Sequence, residues 1–208
     1  MTRVKVCGIT TVEDLETVVA AGVDAVGLIV DVDVETSREI SATKAVELSR
    51  ATPPFVTTVL VTMPDTPEAT VDLASRVQPD VLQVHGPQTP GDLAYLSAKV
   101  HGDVIKAVSP ADAVRYDTVA DALLVDSLDD AGAGGTGETH DWERTRELVE
   151  SLESPVVLAG GLTVDNVADA VATVGPFAVD VASGVEAEPG RKDSDAVAAF
   201  VRAAGGRP

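Results

Sequence analysis

Cys7 is the one cysteine of the chain, and it closes the apolar run Arg3-Val4-Lys5-Val6-Cys7 just before Gly8-Ile9-Thr10. Asp126 closes a second run, Ala122-Leu123-Leu124-Val125-Asp126. A strand ending at Cys-Gly delivers a thiol to the rim of a sheet, and a carboxylate at another strand end supplies an acid. Together they could serve as general base and general acid. A thiol acts as a base only when ionised. Helix N-termini aimed at the same rim, or a cationic intermediate, are expected to lower its pKa. A carboxyl shielded from water is raised toward the working range of a general acid.

Other side chains fall beside this pair. Gln83 and His85 end the run Val81-Leu82-Gln83-Val84-His85, and strand alternation puts both on one face. They read as polar barrel-lining residues or as substrate contacts. Arg38 lies in Thr36-Ser37-Arg38-Glu39, and a guanidinium matches a planar carboxylate with two parallel bonds. Gly160-Gly161 and Ser183-Gly184 follow the last two strand runs. Backbone N–H groups there can hold a phosphate, and glycine permits the close approach. His101 and His140 show no partner pattern, and Trp142 reads as a packing residue. The sequence has no HExxH, CxxC, GxGxxG or Walker loop, so neither a metal nor a nucleotide cofactor is expected.

The elements that must position these residues alternate throughout. Strands are expected at Arg3–Cys7, Asp24–Val30, Phe55–Val61, Asp80–Val84, Asp103–Val108, Asp121–Asp126, Pro155–Ala159 and Phe177–Val181. Helices are expected from caps at Thr10 or Thr11, Ser41, Thr66 with Pro67, and Thr163, and over 90–99, 141–152 and 193–204, with at most a short helix at 110–115. Strand runs apolar on both faces indicate a parallel sheet covered by helices. Eight β/α units point to a closed (β/α)8 TIM barrel spanning residues 1–208 as a single domain. An open doubly wound sheet is the alternative. The glycine-rich stretch 127–140 is a candidate lid directly after Asp126.

Composition narrows the function. The 208 residues are 45% hydrophobic but only 3% aromatic, so the core is aliphatic. The formal charge is −19, from 34 acids against 15 bases. Nucleic acid and anionic membranes both demand basic patches, so neither is an expected partner. Such self-repulsion is tolerated where salt screens it, so a halophile's surface is expected, the alternative being a merely acidic mesophilic protein. No run reaches a membrane span and no apolar leader opens the chain, so a cytoplasmic location is expected.

The motifs taken together resemble the phosphoribosylanthranilate isomerase family of tryptophan biosynthesis, nearly end to end. They are Lys5-Val6-Cys7-Gly8-Ile9-Thr10, Gln83-Val84-His85-Gly86, Leu124-Val125-Asp126, Gly134-Gly135-Thr136-Gly137, Leu158-Ala159-Gly160-Gly161-Leu162, Asp180-Val181-Ala182-Ser183-Gly184-Val185-Glu186 and Pro189-Gly190-Arg191-Lys192-Asp193. The resemblance implies an aldose–ketose isomerase performing an Amadori rearrangement without a cofactor. Cys7 would be the base, Asp126 the acid, Arg38 the partner of the anthranilate carboxylate, and Asp180 the holder of a sugar hydroxyl. The glycine loops would hold the phosphate of a small phosphosugar substrate, in a monomer or homodimer. Leu28–Val32 and Val61-Thr62-Met63 depart from the family, which carries an aromatic and an Asn there. The rival readings are another phosphosugar barrel enzyme (an epimerase or an indole-forming lyase) and a non-catalytic scaffold. A dual-substrate isomerase would use two aspartates, against which Cys7 argues.

Overall fold

The computed structural model describes residues 1–63, 65–126 and 142–205. Helix starts follow the expected caps: Thr11, Ser41 and Thr66 each accept a bond from the backbone N–H three residues on. These open α1 (Val12–Ala20), α2 (Ala42–Ala51) and α3 (Pro67–Val77), and Thr89 with Asp92 forms a reciprocal cap for α4 (Pro90–Lys99). Further along are α5 (Ala113–Tyr116), α6 (Trp142–Ser151), α7 (Val167–Val174) and α8 (Ser194–Ala203).

Between them run β1 (Arg3–Cys7), β2 (Ala25–Ile29), β3 (Thr57–Thr62), β4 (Val81–Val84), β5 (Asp103–Val108), β6 (Ala122–Val125), β7 (Val156–Leu158) and β8 (Ala178–Val181). They close in sequence order, β8 pairing with β1, into the parallel barrel the alternation predicted.

Strand alternation sorts side chains between two layers. Val4, Val6, Leu28, Leu60, Leu123, Val125, Val179 and Val181 face outward and pack with Leu15, Leu48, Leu93 and Phe200 of the helices. Burying each such side chain contributes about 1.5–3 kcal/mol. The intervening residues face the barrel axis, where Cys7 meets Val59 and Val61, and Ala107 meets Leu124, Val157 and Ala178. The same alternation turns Lys5, Gln83 and Asp180 inward.

Three local expectations need correction. The third strand starts at Thr57. Phe55 continues a β-branched run in the sequence, yet its φ is +74° and its side chain is fully exposed. The seventh helix starts at Val167, not Thr163. Thr163 instead opens a turn: its N–H donates to Asn166 Oδ1 at 2.8 Å, and its carbonyl accepts from Val167 N at 3.1 Å. Third, β8 is followed by an unexpected 3-10 turn, Ser183–Val185, and a small antiparallel hairpin of β9 (Glu186–Glu188) and β10 (Arg191–Lys192).

That hairpin is fastened at the barrel mouth. Thr10 Oγ1 donates to Gly190 O at 2.8 Å, and Lys192 N donates to Asp14 Oδ1 at 3.2 Å. Gly190 has φ +81°, and a Cβ there would stand 2.7 Å from Ser37 O. The hairpin therefore presses on the β2–α2 loop that carries Arg38.

Candidate active site

A cavity of about 350 Å³ opens at the C-terminal ends of the strands. Cys7, Arg38, Gln83, His85, Asp126, Gly160, Gly161, Asp180, Ser183 and Gly184 all line it, so the candidate site residues converge on one place. Aliphatic side chains complete the wall, among them Ile29, Val32, Val34, Val61, Met63 and Leu162. The stretches that depart from the family pattern therefore contribute an aliphatic surface.

Cys7 is buried, with its sulfur over Gly27 of β2. The register pairs Cys7 with Gly27, and a Cβ at that glycine would lie 2.6 Å from Sγ. The absent side chain makes the thiol's room. Gly8, at φ +77°, does the same for Arg38: a Cβ there would meet Arg38 Cδ at 2.7 Å.

The expected depression of the Cys7 pKa is not found. Burial pushes the thiol up, and Lys5 and Lys192 pull the other way without overturning it. Desolvation of a thiolate deep in a barrel outweighs the cations beside it. Without ligand, the site therefore favours the thiol.

Lys5 is the neighbour that the sequence reading missed. It sits two residues before Cys7 on the same inward face, and the register sets it opposite Asp180. Its Nζ donates to Asp180 Oδ2 at 2.9 Å, with both side chains at most 10% exposed. Burial pulls the ammonium down, but Asp180 and Cys7 outweigh it, and its pKa rises. Burial also raises the Asp180 carboxyl, against the pull of Lys5. Asp180 Oδ1 is buried and makes no hydrogen bond among the described residues.

On the β4 wall, the Gln83 amide nitrogen donates to His85 Nε2 at 2.8 Å. Gln83 Oε1 is buried without a partner among the described residues. Asp126, buried at the end of β6, reaches the cavity from a wall separated from β1 by β7 and β8. The candidate lid at 127–140, with its Gly134–Gly137 motif, lies outside the described residues, as does His140.

The two glycine loops form one surface. Gly160 and Gly161 have φ +89° and +61°, which L side chains rarely adopt. Asn166 fastens their loop, its Nδ2 donating to Gly161 O at 2.9 Å. A Cβ on Gly184 would stand 2.0 Å from Leu162 O, so the loop after β8 rests directly on the loop after β7.

Arg38 is already engaged. Its Nε and Nη2 each donate to Glu186 at 2.8 Å, and Lys192 Nζ donates to the same carboxylate at 2.8 Å. The Glu186 bonds raise the Arg38 pKa. Burial opposes ionisation of Glu186, but Arg38 and Lys192 win and hold its carboxyl below the usual range. Glu186 and Lys192 appear in the sequence motifs, but no spacing rule joins residues so far apart. Among the described residues there is no group of three His, Cys, Asp or Glu side chains able to hold a metal, and no helix long and apolar enough to cross a membrane.

The family model described as N-(5'phosphoribosyl)anthranilate (PRA) isomerase matches residues 4–203. A relative named N-(5'-phosphoribosyl)anthranilate isomerase, from the halophilic archaeon Natronomonas pharaonis, is 69% identical over 206 residues, covering 99% of each chain. A crystal structure of phosphoribosyl anthranilate isomerase with reduced 1-(o-carboxyphenylamino)-1-deoxyribulose 5-phosphate superposes with TM-score 0.85 at 36% identity, covering 99% of both chains. A structure of monomers of the dimeric enzyme from Thermotoga maritima gives TM-score 0.83 at 34% identity, again over 99% of both. With this much of its length matched, and its barrel superposing on solved members, the chain belongs to the phosphoribosylanthranilate isomerase family.

Proposed function

We propose that the chain converts N-(5-phosphoribosyl)anthranilate, an aminoaldose, into 1-(2-carboxyphenylamino)-1-deoxyribulose 5-phosphate, an aminoketose, with the chemistry carried by Cys7 and Asp126. The supporting observation is one cavity lined by a thiol, a carboxyl, an arginine and two glycine loops. Asp126 protonates the furanose ring oxygen, the C1′–O bond breaks, and the anthranilate nitrogen becomes a cationic imine. That charge acidifies C2′–H and favours a nearby thiolate. Cys7 takes the C2′ proton, and the resulting enolamine is protonated at C1′ as the C2′ hydroxyl becomes the ketone. No oxidant, metal or nucleotide enters the balance.

Binding follows from the remaining wall. The loops Gly160-Gly161 and Ser183-Gly184 hold the phosphate through backbone N–H groups, which need no surface lysine. Arg38 pairs with the anthranilate carboxylate, whose ring lies against Ile29, Val32 and Met63. Asp180 Oδ1, buried and unpartnered, accepts a sugar hydroxyl. Gln83 and His85 contact the substrate from the β4 wall. Residues 1–208 act as one barrel domain in the cytoplasm, at high salt, as a monomer or as a homodimer like the Thermotoga maritima relative described as dimeric.

The test is the fluorescence of freshly made phosphoribosylanthranilate mixed with the protein in molar KCl, with Cys7→Ala alongside. A fast fluorescence change with the wild type alone supports the reading. No change with folded wild type moves the activity to another phosphosugar on the same barrel.

A further inference from the structure

Glu186 spends both its oxygens on Arg38, and the way it does so leaves one edge of the guanidinium uncommitted. The bonds run from Nε to Oε1 and from Nη2 to Oε2, each 2.8 Å, a parallel two-pronged pair. Nη1 makes no hydrogen bond among the described residues, and Arg38 lines the cavity while Glu186 does not. A guanidinium offers two such forks, one along Nε–Nη2 and one along Nη1–Nη2. Glu186 consumes the first, fixing the plane of the group and leaving the second.

Lys192 keeps this arrangement cationic. Its side chain is fully buried, and it bridges Glu186 Oε1 at 2.8 Å and Ala182 O at 3.1 Å. Arg38, Glu186 and Lys192 together carry a formal charge of +1, so the carboxylate that orients the arginine does not cancel its attraction for an anion. Ala182 directly precedes Ser183-Gly184, so the same lysine ties the arginine's mount to the second glycine loop. Hairpin and β2–α2 loop are also in direct backbone contact, at Gly190 against Ser37.

We propose that Glu186, backed by Lys192, is a positioning residue that presents the Nη1–Nη2 edge of Arg38 to the carboxylate of the substrate. This rests on the assignment of Arg38 to that carboxylate. Glu186 touches no reacting atom. Its contribution is to substrate capture and not to the proton transfers, and it is specific to ligands that carry the carboxylate.

The experiment measures kcat and KM for phosphoribosylanthranilate in molar KCl with wild type, Glu186→Gln, Glu186→Asp, Lys192→Met, Arg38→Met and the double variant Arg38→Met/Glu186→Gln. The Kd of ribose 5-phosphate, which lacks the carboxylate, is measured on the same proteins. Arg38→Met is expected to raise KM about 100-fold, the loss of a two-pronged charged pair. Glu186→Gln is expected to raise KM about tenfold while kcat falls by less than about threefold. Glu186→Asp recovers part of the loss, Lys192→Met gives a smaller rise, and ribose 5-phosphate binds as before. In the Arg38→Met background, Glu186→Gln adds nothing further.

An unchanged KM in Glu186→Gln overturns the proposal while leaving the Arg38 assignment standing if Arg38→Met still raises KM. An unchanged KM in Arg38→Met overturns both. An equal loss of ribose 5-phosphate affinity in Glu186→Gln means a structural role only, and also overturns it. If Glu186→Gln does not fold, Lys192→Met and Glu186→Asp carry the same comparison.

Discussion

Lys5 and Lys106 are both buried lysines on opposite sides of the same barrel, and their pKa values move in opposite directions. Lys5, on the inward face of β1, meets the Asp180 carboxylate at 2.9 Å and is raised despite burial. Lys106, on β5, faces the helix layer. Its Nζ donates to Gly86 O at 2.7 Å and stands 5.7 Å from the Tyr116 ring. Burial pulls it from 10.5 down to about 8, and the pull of the Asp112 carboxylate in the other direction does not offset this. Only five lysines exist in the chain, and Lys5, Lys106 and Lys192 are all buried. Most of the lysines are therefore held inside, while the surface carries the acids and the arginines.

The difference extends to the two walls of the cavity. The β8–β1 side holds ion pairs: Lys5 with Asp180, and Arg38 and Lys192 with Glu186. The β4 side holds the hydrogen-bonded Gln83–His85 pair. A charged wall beside Cys7 suits a base that must ionise.

The largest effects should come from removing the thiol at the end of β1 or the carboxyl at the end of β6. Cys7→Ala and Asp126→Asn are each expected to lower kcat by about 10²–10⁴, with the circular dichroism of the fold unchanged. Near-wild-type turnover in either purified variant ends the role assigned to it.

Lys5→Met breaks the comparison from the charged side. It leaves Asp180 buried without its cation, which should cost about 3–5 kcal/mol of stability at neutral pH. Asp180 is a carboxyl whose folded pKa lies above its unfolded value, and losing Lys5 raises it further. Its penalty is therefore full above the folded pKa and shrinks as pH falls toward the unfolded one. Denaturant unfolding at neutral pH and near pH 5 should show the smaller loss at acid pH. A loss independent of pH means that packing, not charge, was removed.

Lys106→Met sharpens it from the other side. Lys106 is protonated in both states below about pH 8, so its burial cost is present there. Between about 8 and the unfolded value of 10.5, the folded form binds fewer protons, and stability gains from this group as pH rises. The variant should lose that alkaline gain, about 1–3 kcal/mol, when unfolding is followed across this range. A wild-type and variant difference that is flat with pH contradicts the burial cost assigned to Lys106.

The smallest effect per residue is at the surface. Raising KCl from about 0.1 M to about 3 M should raise Tm by screening the acids, since the Debye length falls from about 10 Å to under 3 Å. An unchanged Tm would remove the account of the −19 charge as a high-salt surface.

The barrel was legible because its strands are apolar on both faces, and its helices open at Thr and Ser caps. The rim was legible where a polar residue ends an apolar run, as at Cys7, His85 and Asp126. Phe55 misled because it prolongs a β-branched run, yet it lies in a turn with φ +74° and an exposed side chain. Lys5 had a signal, its i, i+2 spacing from Cys7. The Arg38–Glu186 pair had none, because it joins residues 148 apart through strands only a few residues long. The Cys7 shift was not legible, because the cations beside the thiol and its depth of burial compete. Depth belongs to the closed barrel and is not written in a local motif.

The measurement that addresses the acid and base assignment most directly is turnover of phosphoribosylanthranilate deuterated at C2′ by Cys7→Ser and Asp126→Asn. With a weakened base, proton removal from C2′ limits the rate, and Cys7→Ser should show a full primary isotope effect. With a lost acid, ring opening limits it, and Asp126→Asn should show almost none. The reverse pattern, or equal effects in the two variants, contradicts the division of labour between Cys7 and Asp126.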